Sequence, residues 1–334
     1  MVDTKIAGKI LREIKKANSV LLSVHVSPDP DSVCCVLAAS KVLKKMGIRS
    51  RMISYSFIPS GLKILSGSEL IEIKDFSKLN LGDYDLFIAL DTAQETKITE
   101  SEFPKKLPSG LRIINIDHHI TNTKFGDINL IEPVSSTAEI LYKLFKGWKV
   151  KIDRSLAQLL FYGIFTDSGC FQYFEYTSPQ TLTIAADLMK KGASLKEAVL
   201  NDYRSYSLNT LKYWGKVLEN MRMDEGGGFV FSTISCEERE GLGVDPSEIA
   251  GASSLFGPIV LGTEFGIILN EESSGLVRGS LRSRDGFDVS AIAAEFGGGG
   301  HRQAAGFSLS LPLDQAVEKV LFVARKHIKQ REGV

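Results

Sequence analysis

Two histidines stand side by side behind an aspartate in "NIDHHITN", residues 115–122, of a chain that holds only five histidines. An imidazole pair at the end of an apolar run has no packing rationale. A carboxylate followed by two imidazoles offers metal ligands and a partner that can fix a ring tautomer. Three further clusters share this character. "HVSPDPDS" (25–32) spaces His25, Asp29 and Asp31 as H-x-x-x-D-x-D behind a strand, in a turn stiffened by Pro28 and Pro30. "ALDTA" (89–93) ends a strongly apolar strand on Asp91, and "GIFTDSG" (163–169) ends an apolar helix on Asp167. Each alone has a plain structural alternative: an Asp-rich turn, a strand-end cap, or a helix terminus stopped by Gly169.

Together the clusters supply two imidazoles, His25 and His118, and four carboxylates, Asp29, Asp31, Asp91 and Asp167. Such a set, without a thiolate, suits hard or borderline ions such as Mn²⁺ or Mg²⁺ better than structural Zn²⁺. Six ligands exceed the needs of one catalytic ion, whereas two ions sharing a bridging carboxylate would use them all. Paired ions favour phosphoryl hydrolysis, because the attacking water and the phosphoryl oxygens are held and neutralised together. His119 is then left to contact substrate phosphate or assist the leaving group.

A fifth cluster, "FGGGGHRQAAGF" (296–307), reads as a backbone cradle for an anion and not as a Walker loop. Just upstream, "VRGSLRSR" places Arg278, Ser280, Arg282 and Arg284 on one strand face, and three guanidinium groups there suit phosphate. The alternatives are a flexible loop and a solvated sheet face.

The elements that must position these residues follow from periodicity. Ile6, Ile10, Leu11 and Ile14 recur at helical spacing, and "SVLLSVHV" (19–26) reads as a buried strand. Asp31 is expected to cap the next helix, which stops at Gly47. "RSRMISY", "YDLFIALD" and "LRIINID" are further strands, interleaved with or followed by the helical patterns "STAEILYKLFKGW", "SLAQLLFYGIFTD" and "SPQTLTIAADLMKKG". Continuous apolar strands alternating with helices indicate a parallel, helix-covered sheet, with ligands at the strands' carboxyl ends. His25, Asp29, Asp91, Asp117 and His118 fall there. A more polar helical stretch then leads to "DEGGG" (224–228), read as a hinge into a smaller strand-rich unit with a helix near 247–256. The expected division is 1–190, a helical connector 191–225, and 226–330.

Composition narrows the function. At 334 residues, two domains are the natural expectation. With 40 basic and 40 acidic residues the formal net charge is zero, which argues against coating long nucleic acid by charge alone. The four cysteines show no C-x-x-C spacing, so neither a disulfide framework nor a cysteine zinc site is indicated. No signal-peptide core and no apolar run near the ~20 residues of a membrane span is present, so a cytoplasmic location is expected.

The motif set resembles the DHH phosphoesterase superfamily, named for the triplet found here as Asp117-His118-His119, and "GGGGH" with "AAGF" resembles the type 1 DHH-associated domain. The similar class II inorganic pyrophosphatases carry a different second domain. "NIDHHITNTKFGDINLIEPVSSTAEIL" and "YGIFTDSGCFQYFEYTSPQTLTIAADLMKKGA" look most like the bacterial nano-RNases, which act on oligoribonucleotides and on 3′-phosphoadenosine 5′-phosphate. The resemblance implies a two-lobed α/β fold: an N-terminal parallel-sheet domain with helices on both faces, and a smaller C-terminal α/β domain with a mixed sheet. It implies that His25, Asp29 and Asp91 hold one metal, and that Asp31, Asp91, His118 and Asp167 hold a second. Asp117 would stand behind these ligands and His119 would face the scissile phosphate. Arg282, the glycine loop Gly298, Gly299 and Gly300, and His301 would hold the nucleotide across an interdomain cleft, with Arg278 and Arg284 as neighbours. Pro30 and the pair Cys34-Cys35 depart from the residues usual in the first motif.

The expected activity is hydrolysis of very short oligoribonucleotides to 5′-mononucleotides, or of 3′-phosphoadenosine 5′-phosphate to AMP. Two divalent ions would serve it, Mn²⁺ first, with Mg²⁺ or Co²⁺ as alternatives. A cyclic- or linear-dinucleotide phosphodiesterase is the runner-up, and a non-catalytic nucleotide-binding regulator is the reading from another class. No membrane or long duplex nucleic acid is expected as partner, and a homodimer is left open.

Overall fold

The computed structural model describes residues 3–173, 177–203, 206–244, 249, 251–284 and 286–332, without the side chains of 202–203, 301 and 331–332. The chain divides into two compact units, 1–205 and 206–334. Residues 191–225, read from sequence as a connector, contribute a helix to each: α6 (Leu195–Tyr203) to the first and α7 (Leu208–Glu219) to the second.

The first unit is a six-stranded, all-parallel sheet. Its strands are β1 (Ser19–Val24), β2 (Arg49–Ser54), β3 (Ile71–Ile73), β4 (Leu86–Leu90), β5 (Arg112–Asp117) and β6 (Ile128–Ile131), in the order β3-β2-β1-β4-β5-β6. The chain winds outward from β1 in one direction and from β4 in the other. Connections therefore leave the carboxyl ends of these two adjacent strands on opposite sides and open a crevice between them. One face packs against helices α1 (Thr4–Lys16), α2 (Pro30–Lys45) and α3 (Thr137–Gly147), and α4 (Arg154–Asp167), α5 (Pro179–Lys190) and α6 extend that core by packing on α2, α3 and one another. Val20, Leu22 and Val24 point into that core, while Leu21 points to the other face, as strand alternation requires. There Phe76, Leu81, Tyr84 and Phe87 form a smaller core under single turns of 3₁₀ helix.

That second face is stitched by Asp75. Its carboxylate accepts hydrogen bonds from the Ser77 amide and the Ser77, Thr99 and Ser101 hydroxyls at 2.7–3.0 Å. Burial pushes its pKa up, but those donors outweigh burial and hold it below the ordinary carboxylate value. A depressed acid stabilises the fold above its unfolded pKa, near 4, and loses that contribution as pH falls through the folded value. Asp75→Ala is therefore expected to cost about 1–3 kcal/mol at pH 7, with the gap from wild type closing below about pH 4. Urea unfolding at both pH values checks this.

The second unit is a mixed six-stranded sheet in the order β11-β12-β10-β9-β8-β7, in which only β8 and β9 run parallel. Its strands are β7 (Arg222–Met223), β8 (Gly228–Ile234), β9 (Thr263–Ser273), β10 (Leu276–Ser283), β11 (Gly299–His301) and β12 (Ala304–Leu309). Phe265, Ile267, Leu269, Val277, Leu281 and Phe307 face one core, with α10 (Val289–Ala294) and α11 (Leu313–Glu332). The other face is half covered. Tyr213, Trp214 and Val217 of α7 and Ala252 of α9 (Gly251–Phe256), which follows the short α8 (Cys236–Leu242), pack on Ile234 and Ile268, while β10 and β12 stay open. The helix expected near 247–256 is described from Gly251, and residues 247, 248 and 250 lie outside the described residues.

The run "GGGGH" turns at Gly297 and then passes, from Gly299 to His301, into edge strand β11, paired Gly299↔Gly306 and His301↔Ala304. A Cβ at Gly298 would lie 2.2 Å from the Gly306 oxygen, and at Gly300 (φ +148°) 2.4 Å from the Ala304 oxygen. Those two glycines answer to close packing on β12. Gly299 has open space where its side chain would be. Among the described residues, no helix is long and apolar enough to cross a membrane.

Candidate metal centre

The crevice between β1 and β4 gathers the motif residues. His25 follows the last residue of β1, Asp91 follows β4, and Asp117 closes β5 with His118 and His119 behind it. Helix α2 starts beneath them, and its N-cap is Asp29, not Asp31 as the sequence suggested. The Asp29 carboxylate accepts the Ser32 amide in a capping box. The reason is Pro30, whose fixed φ and missing N–H suit the first helical position and set the cap one residue earlier. Pro30 thus leaves the ligand turn intact. Asp31 is released from capping its own helix and faces inward, only 1% exposed. Its two oxygens accept the amides of Thr137 (2.7 Å) and Ala138 (3.2 Å), the first turn of α3. A buried carboxylate is thereby held at a helix N-terminus.

Asp91 sits at φ +54°, a left-handed conformation that costs a β-carbon residue on the order of 1 kcal/mol. The surrounding bonds over-determine it: the Asp91 amide donates to the Ile116 carbonyl, and the Thr137 hydroxyl donates to Oδ1 at 2.9 Å. The strain aims the carboxylate across the crevice. Its Oδ2 lies 3.7 Å from His25 Nε2, and its Oδ1 lies 3.5 Å from His118 Nε2. His25 Nε2 is also 3.2 Å from Asp29 Oδ2, and His118 Nε2 is 3.3 Å from Asp167 Oδ2. Ligand atoms around a common ion stand at such separations, given metal–ligand distances of about 2.0–2.2 Å. Among the described residues, three sets have potential ligand atoms within 4.8 Å of one another: His25, Asp29 and Asp91; Asp31, His118 and Asp167; and Asp91, Asp117, His118 and His119.

The two neighbouring imidazoles are set up differently. His118 Nδ1 lies 3.1 Å from the Val134 carbonyl, which can only accept, so Nδ1 carries the proton and Nε2 offers its lone pair. His119 Nδ1 lies 2.7 Å from Asp117 Oδ1, and Asp117 Oδ2 accepts from Asn122 Nδ2 at 2.6 Å. Asn122 also donates to Asn115 Oδ1, within β5. Burial lowers the His119 pKa, but its bond to Asp117 and the nearby carboxylates outweigh burial and push it up to about 9.

The carboxylates are crowded. Burial, and then Asp91, Asp167 and Asp29, push Asp31 well above the carboxylate range; burial, then Asp91 and Asp29, do the same to Asp167. Asp91 is raised by burial and by Asp29. Among the described residues none of these acids pairs with a lysine or arginine; Asp29, Asp91 and Asp167 lie against the histidines, and Asp31 against the first amides of α3. A buried cluster of acids with oriented imidazoles and no cation of its own fits divalent metal by its chemistry. Thr137, Val134, Asn122 and Asn115 were absent from the sequence-level site. An amide residue inside the apolar strand "LRIINID" and Thr137 at the start of a helix were the available signals.

In the second unit, the open sheet face forms a cavity of about 1030 Å³ lined by Asn270, Arg278, Ser280, Arg282, Gly298 and Gly299, among others. Gly300 is turned against β12, and Arg284 lies past the end of β10, where it donates to the Val260 carbonyl outside the cavity. The side chain of His301 lies outside the described residues.

Comparison with known proteins agrees with both units. Residues 19–164 match the DHH family N-terminal domain and residues 226–330 match the DHHA1 domain. The chain is 31% identical to the bifunctional oligoribonuclease and PAP phosphatase NrnA of Thermus thermophilus, over 96% of this chain and 94% of that protein. It is 28% identical to the Bacillus subtilis protein of the same name, over 90% and 92%. An exopolyphosphatase-related protein from Bacteroides fragilis shares the fold, with a TM-score of 0.89 at 24% identity over 99% of this chain and 97% of that one. Near-complete coverage joins here with acids and imidazoles drawn from strand ends and helix ends into one crevice, and on both grounds the chain belongs to the DHH phosphoesterases, metal-dependent hydrolases of phosphoester bonds.

Proposed function

We propose that this hydrolase cleaves very short oligoribonucleotides to 5′-mononucleotides and converts 3′-phosphoadenosine 5′-phosphate to AMP, with two divalent ions, Mn²⁺ first. The observation that carries the two-ion reading is the Asp91 carboxylate, which turns one oxygen to His25 and the other to His118. Charge supports it: Asp29, Asp31, Asp91 and Asp167 carry four negative charges when ionised, and two divalent ions balance them. His25, Asp29 and Asp91 would hold one ion, and Asp31, Asp91, His118 and Asp167 the other. When bound, such ions polarise phosphoryl oxygens and acidify the attacking water.

The protein's own groups do the rest. The Val134 carbonyl fixes the His118 tautomer, and the first turn of α3 holds Asp31 and Asp91 in register. Asn122 and Asp117 hold His119 by Nδ1, so that Nε2 is the atom it offers to a phosphate oxygen or to the departing oxygen. Arg278 and Arg282 supply guanidinium donors for nucleotide phosphate on the open sheet face. The names of the two NrnA relatives support short RNA and 3′-phosphoadenosine 5′-phosphate as substrates, and zero net charge favours short substrates over long ones.

The test is hydrolysis of a 5′-phosphorylated RNA dinucleotide and of 3′-phosphoadenosine 5′-phosphate. Both should be cleaved with Mn²⁺, lost in EDTA and restored by Mn²⁺. Turnover of neither substrate by the Mn²⁺-loaded protein would overturn the substrate reading.

A further inference from the structure

The open sheet face carries a polar group that neither the arginines nor the glycine run accounts for. Asn270 of β9 is only 6% exposed, yet it lines the cavity directly opposite Arg278 of β10, with Ser308 of β12 on the far side of Arg278. Residues paired across neighbouring strands share a face, so all three reach the same side of the sheet. The Asn270 Oδ1 accepts a hydrogen bond of 2.5 Å from the hydroxyl of Tyr213, a wholly buried side chain of α7.

That bond decides which end of the amide meets the cavity. An amide and its flipped form look alike, so the orientation must come from the network. If Nδ2 faced Tyr213, the phenol would accept, and its own O–H would need another acceptor in a dry core. Among the described residues, Oδ1 is the only acceptor the Tyr213 hydroxyl has. An unpaired buried hydroxyl is costly. Burial also pushes the Tyr213 pKa up to about 12, so the phenol keeps its proton and remains the donor. Oδ1 is thus committed to Tyr213. Among the described residues, Nδ2 has no acceptor, and it is not sealed off from solvent.

From this we infer that Asn270 is a substrate-binding residue, whose Nδ2 donates to a phosphate oxygen of the nucleotide held against Arg278 and Arg282, and that Tyr213 is the positioning residue that fixes it. The inference rests on the cavity being the nucleotide-binding part of the proposed function. Phosphate is favoured over a base edge because the polar side chains lining the cavity are mostly donors: the Arg278 and Arg282 guanidinium groups and the Ser280 and Ser308 hydroxyls, with Arg239 turned to the Glu271 and Glu272 carbonyls. Among the described residues Glu272, 3.6 Å from Arg278, is the one acid that lines the cavity.

Asn270→Asp is the sharpest variant, since it keeps the shape and the acceptor for Tyr213 and exchanges the donor for a negative charge. Its KM for 3′-phosphoadenosine 5′-phosphate should rise by at least about tenfold with kcat within about threefold of wild type. Tyr213→Phe frees the amide to flip and should raise KM by a few-fold, again with kcat kept. Calorimetric binding of AMP and of adenosine needs no turnover and so separates this inference from the substrate reading. AMP affinity should fall in Asn270→Asp, and adenosine affinity should not. An unchanged KM and AMP affinity in a folded Asn270→Asp protein would overturn the assignment. So would equal losses for AMP and adenosine, or failure of wild type to bind AMP at all.

Discussion

Asp91→Asn should lower phosphoester hydrolysis by on the order of a thousandfold or more while leaving the fold intact. The substitution preserves shape, and the amide oxygen can still accept the Thr137 hydroxyl. What it removes is a charge and one of two carboxylate oxygens at the one position, among the described residues, that faces both His25 and His118. A peripheral ligand can be replaced by water. A carboxylate shared between two ions cannot, because its loss weakens both sites at once. A second signature separates this from misfolding. Without metal, Asp91 is a buried acid among acids, its pKa raised by burial and by Asp29. Removing it relieves repulsion, so the metal-free variant should melt at or above the metal-free wild type, while Mn²⁺ should stabilise the wild type far more. Steady-state kinetics with paired melting curves, with and without Mn²⁺, check both halves. A variant that keeps activity, or loses it by unfolding, would count against the bridging role.

Gly163→Ala is the second large effect, and its sign is contrary to helix propensity. Alanine inside a helix ordinarily stabilises it by roughly 0.5–1 kcal/mol over glycine. Here Gly163 of α4 faces α2 and α3, and a Cβ would stand 2.5 Å from Asp31 Oδ1 and 2.9 Å from the Ala138 Cβ. Neither neighbour can yield freely, because Ala138 donates its amide to that same oxygen. The added methyl must part the helices or push Asp31 out of place. The expected result is a loss of about 1–3 kcal/mol in stability and of 10- to 100-fold in metal affinity. Gly215→Ala in α7, with no atom within 4 Å of its Cβ, is the control and should be neutral or slightly stabilising. Urea unfolding and metal titration distinguish the two.

The candidate ligands legible in the sequence share one property: each stands at the end of an element whose type its neighbours announce. Continuous apolar runs predicted parallel strands, parallel sheets bind ligands at their carboxyl ends, and His25, Asp91, Asp117 and His118 stand there. Asp31 reads from sequence both as a metal ligand and as a helix cap, because Asp29 and Asp31 are equally suited to cap the same turn and only the backbone shows that Asp29 does so. Thr137 and Asn122 were missed for a different reason. Thr137 meets Asp91 across 46 residues of chain, and that meeting depends on the strand order β1-β4-β5. No local pattern encodes it. The glycine run shows the limit of composition, since glycines that suggest a loose anion cradle also fit an edge strand pressed against a neighbour's carbonyls. Asn270 and Tyr213 were invisible because "EFGIILNE" and the α7 segment each read as ordinary packing, and their bond joins two elements 57 residues apart.

The central claim is that one carboxylate organises two ions, and anomalous diffraction from crystals grown with Mn²⁺ tests it most directly. Two peaks should flank the Asp91 carboxylate, about 3.5–4 Å apart, one beside His25 and Asp29, the other beside Asp31, His118 and Asp167. A single peak at full occupancy, or peaks away from Asp91, would contradict it.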